Sequence, residues 1–572
     1  MVVDPWEEVL LEVKALKKVV EESKGIEHVP IPLEEPPEGL GDVAFATFLY
    51  AKQLKQKPED IAKLIASAMP SGNLLTKCDA VGGYVNLHLD LKAFSQILFE
   101  TAAEMGTSYG RLPAKSMKIL LEHTSVNPTG PIHVGRARNP IIGDSLARIL
   151  RFAGYDVVTE YLVNDVGKQM VLLAWGLKNI ETENLPPPER EKADFDLVRF
   201  YQKANQLIEE NQTLESTINE TIRRFEGGDA ELTKEIRAVA EKILKGIIES
   251  LQRIDVKIDN FFWESDLILD GSGRKVVEKL KDKFKEQNGA LFIDLAPFGI
   301  KGKDTRWFLT RSDGTTLYPT RDIAYHLTKF NRCDMAINIL GEDQKLGQEQ
   351  LKVGLKLIDA KVEPETLFYS FVALPEGRMS TRAGRMVSLD DLIDEAVARA
   401  LEEVRKRRPE LSSEKMSQIA EIIGIGALRY NIIRLQPEKK IVFKWEEALN
   451  FEGNSAPFLQ YAHARTCGIL SKANKRKNPD PTILSHPAER KLVKALGQFP
   501  HFISLAAENR RPHILANYAY ETSSLFNIFY RDCQVLQSEE PSRSTRIALV
   551  EITKTVLNNA LQCIGLRAPA EM

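Results

Sequence analysis

Residues 117–152 read MKILLEHTSVNPTGPIHVGRARNPIIGDSLARILRF. The run 117–123 is apolar and too short for a helix, and a loop rich in proline and glycine follows it. A helical pattern then extends from about Asn139 to Phe152, and a second apolar run occupies 156–163. Strand, loop, helix and strand in this order are typical of a doubly wound parallel sheet. The stretch therefore predicts an α/β fold.

The chain after this unit divides into a helical part and a strand-bearing part. Residues 177–251 are heavily charged and helical in pattern, which indicates an insertion between two halves of the sheet. Strand-like pieces return at 291–294, 307–310, 335–340 and 367–373. We expect the second half of the sheet to be built from them.

The two ends of the chain differ from this central region. Before residue 112, an amphipathic helix, a proline-rich stretch and a strand-like run indicate a small α+β module. After Leu389 the pattern is helical to the end, which predicts an all-α helical bundle. The expected domains are 1–112, 113–435 for the α/β domain with its insertion, and 436–572.

Composition indicates a folded globular chain, since 43% of residues are hydrophobic and 27% are charged. No run of about eighteen apolar residues occurs, so we expect no membrane span and a cytoplasmic location. The five cysteines show no CxxC spacing, which argues against disulfides and against a zinc site, and we predict no bound metal. The net charge of −3 gives no sign of a polyanion partner.

The loop after the first apolar run has residues suited to phosphate. In a doubly wound fold this junction lies where ligands bind, beside unpaired N–H groups at a helix start. Asn139 is the expected helix cap, and Gly135 lets a nucleotide approach the backbone closely. His133 would donate a hydrogen bond to an α-phosphate, while Arg136 and Arg138 add positive charge. Taken alone, a histidine beside a glycine is better explained by a capped structural loop.

A second loop supports the nucleotide interpretation. Residues 375–385 read PEGRMSTRAGR, a cationic stretch suited to closing over a triphosphate. Together the two loops resemble the His-Ile-Gly-His and Lys-Met-Ser-Lys-Ser signatures of class I aminoacyl-tRNA synthetases. The resemblance implies a Rossmann-like catalytic domain whose catalytic and ATP-binding residues are His133, Gly135, Arg136, Met379, Ser380 and Arg382. Arg136 stands in place of the second histidine, and Arg378 and Arg382 replace both lysines.

A third stretch indicates which amino acid would be the substrate. Residues 311–326, RSDGTTLYPTRDIAYH, resemble the arginine-specific segment of arginyl-tRNA synthetases. A guanidinium has forked donors and a flat face, and Tyr318 and Asp322, one helical turn apart, supply a ring and a carboxylate. Other positions that match substrate-holding residues of the family are Glu122, Asn127, Asn164 and Gln344. A buried carboxylate without its guanidinium would be an unpaired charge, so selection for arginine should be steep.

The C-terminal region carries a pattern suited to RNA. Phe458, Tyr461 and Arg465 are spaced by three and four, so one helix face presents two rings and a cation to unstacked bases, although core packing explains Phe458 equally well. This stretch resembles the anticodon-binding domain of arginyl and cysteinyl synthetases, and the N-terminal module resembles the arginyl domain that touches the tRNA elbow. The tRNA-binding residues that follow are Asn86, Phe458, Tyr461, Arg465, Phe526, Tyr530 and Met572.

The resemblance spans nearly the whole chain and implies ATP-dependent attachment of L-arginine to tRNA(Arg) through an arginyl-adenylate. It also implies that Mg²⁺ accompanies ATP and that bound tRNA is needed for arginine activation. We expect a monomer. One alternative is a class I synthetase of other specificity, such as cysteinyl, against which the missing zinc-ligand spacing and the Tyr318 and Asp322 pair speak. The other is a catalytically inactive paralogue that binds RNA, which the replaced signature residues motivate.

Overall fold

The computed structural model describes residues 4–25, 31–37, 39–67, 74–302, 304–373, 387–473 and 478–572. The N-terminal region is a three-stranded antiparallel sheet of order β1-β3-β2 flanked by helices. Its elements are α1 (Pro5–Lys24), β1 (Val43–Ala46), α2 (Phe48–Leu54), α3 (Pro58–Ser67), β2 (Leu75–Val81), β3 (Tyr84–Leu89) and α4 (Leu91–Met105). The Asp4 carboxylate caps α1 by accepting from Trp6 and Glu7 N–H groups. An α+β module therefore opens the chain.

The central region is built on parallel strands joined by helices. Its first part comprises β4 (Lys118–Glu122), α5 (Arg138–Phe152), β5 (Asp156–Val163), α6 (Lys168–Asn179), α7 (Ala193–Glu210), α8 (Gln212–Glu226), α9 (Ala230–Arg253), β6 (Asn260–Trp263), α10 (Asp266–Leu269) and α11 (Ser272–Lys279). Its second part comprises β7 (Lys285–Gln287), β8 (Ala290–Asp294), β9 (Arg306–Phe308), α12 (Tyr318–Phe330), β10 (Met335–Gly341), α13 (Lys345–Leu357), β11 (Glu365–Tyr369) and β12 (Val372–Ala373).

A five-stranded sheet of order β11-β10-β4-β5-β6 forms the centre of this region, and all of its neighbouring strands are parallel. The chain runs outward from β4 through β5 to β6, and then returns to the other side of β4 with β10 and β11. This reversal makes the gap between β4 and β10 the topological switch point, where doubly wound folds bind ligands. The Rossmann-like prediction is confirmed.

Two of the four strand-like pieces were assigned to the wrong sheet. Residues 291–294 and 307–310 correspond to β8 and β9, which pair antiparallel in a separate three-stranded sheet of order β7-β8-β9. The connection between them holds no crossover helix, and a parallel pair requires such a crossover. The edge strand β6 was missed because it has only four residues, NFFW, directly after the helical insertion.

The C-terminal region is helical, as predicted. Its elements are α14 (Leu389–Arg407), α15 (Ser413–Ile433), β13 (Ile441–Val442), α16 (Trp445–Ala448), α17 (Ala456–Ser471), α18 (Pro487–Gly497), α19 (Phe499–Glu508), α20 (Pro512–Asp532) and α21 (Ser542–Cys563). The short strand β13 pairs in parallel with β12. None of the helices within the described ranges is long and apolar enough to cross a bilayer.

Helix α5 is the point where these regions meet. It packs against β4, β5 and β10 of the sheet and against α15, α19, α20 and α21 of the C-terminal region. Arg429 of α15 is fully buried and donates to Asp144 of α5 at 2.5 Å and to the Ile254 carbonyl at 2.6 Å. Gly565 lies against this guanidinium with φ 73°, and a Cβ there would sit 1.7 Å from Arg429 Nη2. Helix α5, which follows the loop after β4, is thereby fixed between the parallel sheet and the C-terminal helices.

Candidate active site

A pocket of about 540 Å³ opens at the switch point between the carboxyl ends of β4 and β10. The start of α12 and the loop between β4 and α5 complete its walls. The described residues that the sequence assigned to catalysis or to arginine lie in its lining, with one exception. Those that line it are Glu122, Asn127, His133, Arg136, Asn164, Tyr318, Asp322 and Gln344.

Gly135 is the exception, and its backbone N–H fixes the orientation of the His133 ring. The Gly135 N–H donates to His133 Nδ1 at 3.0 Å, and a Cβ on Gly135 would lie 3.0 Å from the same nitrogen. Partial burial, together with the charge of Arg136, lowers the pKa of His133. The ring is therefore neutral near pH 7, and because Nδ1 accepts, Nε2 carries the proton. His133 thus has one N–H donor left for a ligand.

Arg136 is an exposed cation at the edge of the pocket. Its guanidinium lies 5.3 Å from the centre of the Phe371 ring, and Nη2 lies 3.7 Å from Asp343 Oδ2. The ring contact orients the guanidinium, while the distant carboxylate neutralises it only weakly. Arg136 therefore keeps positive charge available beside His133.

Arg138 does not supply charge to phosphate, contrary to our sequence interpretation. Its side chain is fully buried and donates to three backbone carbonyls, those of Ser370 at 2.8 Å, Gln436 at 2.8 Å and Lys439 at 2.7 Å. A buried guanidinium that donates to these three carbonyls is a structural clamp between the end of β11 and the segment before β13, although its Nε has no hydrogen-bond partner among the described residues. Asn139 is likewise inside α5, where it accepts from Thr124 N–H at 2.7 Å, and is not the cap.

The second signature, residues 375–385, falls within 374–386, so Met379, Ser380 and Arg382 lie outside the described residues. The residues that follow this segment contact the first signature directly. Val134 N–H donates to the Val387 carbonyl at 3.0 Å, and Leu389 N–H donates to the Ile132 carbonyl at 2.7 Å. Ser388 and His133 form the antiparallel bridge between them.

A chain of hydrogen bonds fixes the carboxylates of the pocket. Buried Lys329 pairs with Glu122 and donates to Asn338 Oδ1 at 2.8 Å, which orients the amide. Asn338 Nδ2 then donates to His326 Nε2 at 2.9 Å, so His326 carries its proton on Nδ1. That Nδ1–H faces the Asp322 carbonyl at 2.9 Å and its Oδ1 at 3.1 Å. A neutral histidine does not cancel the charge of Asp322, whereas Lys329 cancels that of Glu122.

Sequence reasoning missed His326, Lys329 and Asn338. A signal was present, because Asp322, His326 and Lys329 stand at i, i+4 and i+7 and therefore share one face of α12. Asn338 carried no such signal, since it is an amide within the apolar strand β10. Asn338 joins these hydrogen bonds because the parallel register of β10 and β4 places it beside Glu122.

Glu264 is a further buried carboxylate of the pocket that the sequence did not reveal. Arg321 Nε donates to it at 2.5 Å, and the Asn164 amide donates to it at 2.9 Å in the orientation that satisfies both amide atoms. Burial raises the pKa of Glu264, although Arg321 opposes this shift. Because Arg321 and Asn164 already bond Glu264, Asp322 is the better candidate for an incoming cation.

Three of the residues that the sequence assigned to arginine are exposed, namely Tyr318, Asn127 and Gln344. Tyr318, the first residue of α12, is 70% exposed, and its ring stands one helical turn before Asp322. Asn127 donates to Gln169 at 3.3 Å, and Gln344 donates weakly to Asp343 at 3.4 Å. Such side chains can reorient toward a ligand at little cost.

A second groove, also of about 540 Å³, lies in the C-terminal region. Arg465 of α17 lies between two rings, 4.7 Å from the centre of Tyr461 and 4.9 Å from that of Tyr530. Its Nη1 donates to Asn527 at 2.6 Å. Met572 also lines the groove. Four of the residues assigned to tRNA thus converge on one surface.

Three other residues assigned to tRNA are less available. Phe526 on the inner face of α20 is fully buried, and Asn86 on the central strand β3 is 2% exposed, so neither presents a surface to RNA here. Phe458 is half-buried against Tyr520, at 5.4 Å between ring centres. Beside Asn86, the exposed Tyr84 packs edge-to-face on the exposed Phe48 at 5.6 Å, a pair that sequence reasoning did not single out.

The fold and the site together define a class I tRNA synthetase, with the first signature at the switch point of a doubly wound sheet and a helical C-terminal domain. Residues 100–445 match the family model described as "tRNA synthetases class I (R), catalytic domain", and residues 459–572 match the DALR anticodon binding domain. Residues 13–89 match the arginyl tRNA synthetase N terminal domain. The chain belongs to the arginyl-tRNA synthetase family.

Similar proteins cover nearly all of the chain. The arginine--tRNA ligase of Methanocella arvoryzae is 45% identical over 527 residues, which are 92% of this chain and 92% of that protein. The arginine--tRNA ligase of Methanocaldococcus jannaschii is 42% identical over 576 residues, covering 98% and 99% respectively. Among solved structures, Thermus thermophilus arginyl-tRNA synthetase superimposes with a TM-score of 0.84 at 27% identity, covering 99% of this chain and 100% of that chain.

Proposed function

We propose that the switch-point pocket holds arginine beside ATP, in an enzyme that attaches arginine to tRNA in an ATP-dependent reaction. The observation that carries this proposal is the uncancelled charge of Asp322 in the same pocket as the His133 donor. Asp322 receives the guanidinium and Tyr318 covers its flat face. Glu122, Asn127, Asn164 and Gln344 surround the polar groups of the rest of the substrate.

The ATP side follows from the first signature. His133 Nε2–H donates to an α-phosphate oxygen, Gly135 permits close approach of the backbone, and Arg136 adds charge. By resemblance, Met379, Ser380 and Arg382 act on the departing pyrophosphate. Within the described residues, no three His, Cys, Asp or Glu side chains cluster in a way that holds a metal ion. Mg²⁺ that accompanies ATP would be held largely by phosphate and water, because this ion usually keeps several of its waters.

Two steps complete the reaction. An oxygen of the arginine carboxylate attacks the α-phosphorus of ATP. The bond between the α-phosphorus and the oxygen that bridges the α- and β-phosphates breaks, and diphosphate leaves with the electron pair. A terminal ribose hydroxyl of the tRNA then attacks the carbonyl carbon of arginyl-adenylate, its proton is lost, and AMP leaves. The residues contribute alignment and a fixed electrostatic field, and no covalent enzyme intermediate forms.

The tRNA contacts are proposed at two surfaces. The groove of Tyr461, Arg465, Tyr530 and Met572 stacks unpaired loop bases, since exposed rings around a cation suit this task. Phe458 packs against Tyr520 and is not among the described residues that line the groove, so its contact with tRNA stays a prediction. In the N-terminal module, the residues next to Asn86, rather than its buried side chain, face the tRNA.

The remaining sequence predictions join this proposal. The domain boundaries 1–112, 113–435 and 436–572, the monomeric state and the cytoplasmic location stay predictions. The family's need for bound tRNA during arginine activation is also proposed for this chain.

The test is charging of purified tRNA with radiolabelled arginine, together with ATP–pyrophosphate exchange for arginine and cysteine. We expect arginine-dependent exchange that requires tRNA and no signal with cysteine. Stimulation by cysteine alone would support the cysteinyl alternative. Binding of tRNA without any charging would support the inactive paralogue.

A further inference from the structure

The helical insertion contacts the active site through a cluster of opposite charges. Asp390, Asp391 and Asp394 lie in the first two turns of α14 and face cations of the insertion. Arg190 donates to Asp391 at 2.6 Å and to Asp394 at 2.5 Å. The insertion therefore holds the start of the helix whose N-cap residue pairs with the first signature.

Two more cations extend this contact. Lys192 donates to the buried Asp390 at 2.9 Å and to Asp194 at 3.0 Å. Arg253, the last residue of α9, donates to Asp390 at 3.2 Å and to Asp394 at 2.5 Å. Single exposed ion pairs contribute little to stability, but guanidiniums that each bond two carboxylates fix the position of the start of α14 relative to the insertion.

Asp391 connects this cluster to His133. One carboxylate oxygen of Asp391 takes the bond from Arg190, and the other accepts from Ser388 N–H at 2.9 Å and from its hydroxyl at 2.8 Å. Ser388 is the N-cap of α14 and forms the bridge to His133. The path from Arg190 through Asp391 to Ser388 therefore consists of hydrogen bonds. Ser388 is joined to His133 through the backbone hydrogen bonds of the bridge, Val134 to Val387 and Leu389 to Ile132.

We propose that Arg190 is a positioning residue for arginine activation, which places His133 through Asp391 and Ser388. This inference rests on the proposed role of His133. A donor aimed at a developing charge is sensitive to displacement, and an error of about 1 Å in such geometry costs as much as about 100-fold in rate. The helical insertion thereby acquires a role in the chemistry of the first step.

The experiment compares Arg190→Met, Arg190→Lys and a control, Lys178→Met. Lys178 belongs to the exposed 3.2 Å pair with Glu235 inside the insertion. The assay is ATP–pyrophosphate exchange with arginine at saturating tRNA, normalised to the fraction of protein that binds tRNA. We expect Arg190→Met to lower kcat about 10-fold while KM for arginine changes less than about twofold. Arg190→Lys should recover part of the rate, and Lys178→Met should match the wild type.

A double variant tests the path itself. If Arg190 acts through His133, then His133→Ala with Arg190→Met should be no slower than His133→Ala alone. An equal loss in both backgrounds would overturn the inference, as would wild-type kinetics of Arg190→Met or a similar loss in Lys178→Met. If Arg190→Met does not fold, Arg190→Lys, which keeps the charge, replaces it both as the single variant and in combination with His133→Ala. Absence of arginine-dependent exchange in the wild type would instead reject the function proposed above.

Discussion

The switch-point pocket and the C-terminal groove have similar volumes of about 540 Å³ but opposite construction. In the pocket, a buried lysine, an amide and a neutral histidine orient one carboxylate, Asp322, and leave its charge uncancelled. In the groove, Arg465 lies between two exposed rings, Tyr461 and Tyr530. In the function proposed above, one fixed charge selects the guanidinium of arginine, whereas the rings of the groove hold tRNA because any base can stack on them.

This difference predicts different responses to mutation. A change in the pocket leaves buried partners unsatisfied, so its effect should be large and confined to arginine or ATP. A change in the groove removes stacking area at an exposed site, so its effect should be moderate, confined to tRNA and sensitive to salt.

The largest effect is expected for His133→Ala. Loss of a donor aimed at the α-phosphate should lower the rate of arginine activation by about 100-fold to 1000-fold, because the charge in the transition state loses its partner. The measurement is ATP–pyrophosphate exchange at saturating arginine and tRNA. Affinity for tRNA, measured by filter binding, should stay within about twofold. A comparable loss of tRNA affinity would show that the pocket and the groove do not act independently.

Asp322→Asn should have the next largest effect. The amide keeps the shape but removes the charge that faces the guanidinium, so KM for arginine should rise about 100-fold, the scale of a lost hydrogen bond to a charged group. KM for ATP is the internal control and should change little. Glu363→Gln, a surface carboxylate paired with Lys352 at 2.7 Å, is a matched control that removes a charge away from the pocket. Equal changes in both KM values would show that Asp322 supports the pocket generally.

The parts of this pocket that sequence could predict are those that carry local signals. Tyr318 and Asp322 are separated by one helical turn, and the His133 loop lies between a strand and a helix, so pattern alone places them. Asn338 reaches the pocket only through the parallel register of β10 beside β4, which no local pattern encodes.

The errors have the same cause. Arg138 and Phe526 have the residue types of ligand contacts, but packing turns both side chains into the interior, where one clamps carbonyls and the other fills the helical core. The pieces at 291–294 and 307–310 were correct as strands, yet their partners depend on a short connection and not on their own residues. Element type was therefore easier to predict than element neighbours.

Tyr461→Ala probes the groove and should have a moderate effect. The Tyr461 side chain is 44% exposed, so the folded state loses little, while each stacked base is worth about 1–3 kcal/mol. We expect Kd for tRNA(Arg) to rise about 10-fold, with KM for arginine unchanged at saturating tRNA. Leu11→Ala, at a similarly exposed apolar residue of α1, is the matched control. A raised KM for arginine in Tyr461→Ala would mean that the two regions are not independent.

The smallest effect concerns pH and the charge of Arg136. Burial and Arg136 both lower the pKa of His133, so the neutral ring with its Nε2 donor persists below the ordinary histidine range. Protonation at Nδ1 would oppose the Gly135 N–H, which now donates to that nitrogen, so activation should fall only on the acid side. Arg136→Gln removes one of the two causes, so the pKa of His133 should rise and the acid limb of kcat should move to higher pH. The measurement is the pH profile of arginine activation between about pH 5 and 8, with Asp322→Asn as a variant whose acid limb should stay in place. A limb that moves to lower pH in Arg136→Gln would contradict the assignment of His133 as the titrating group.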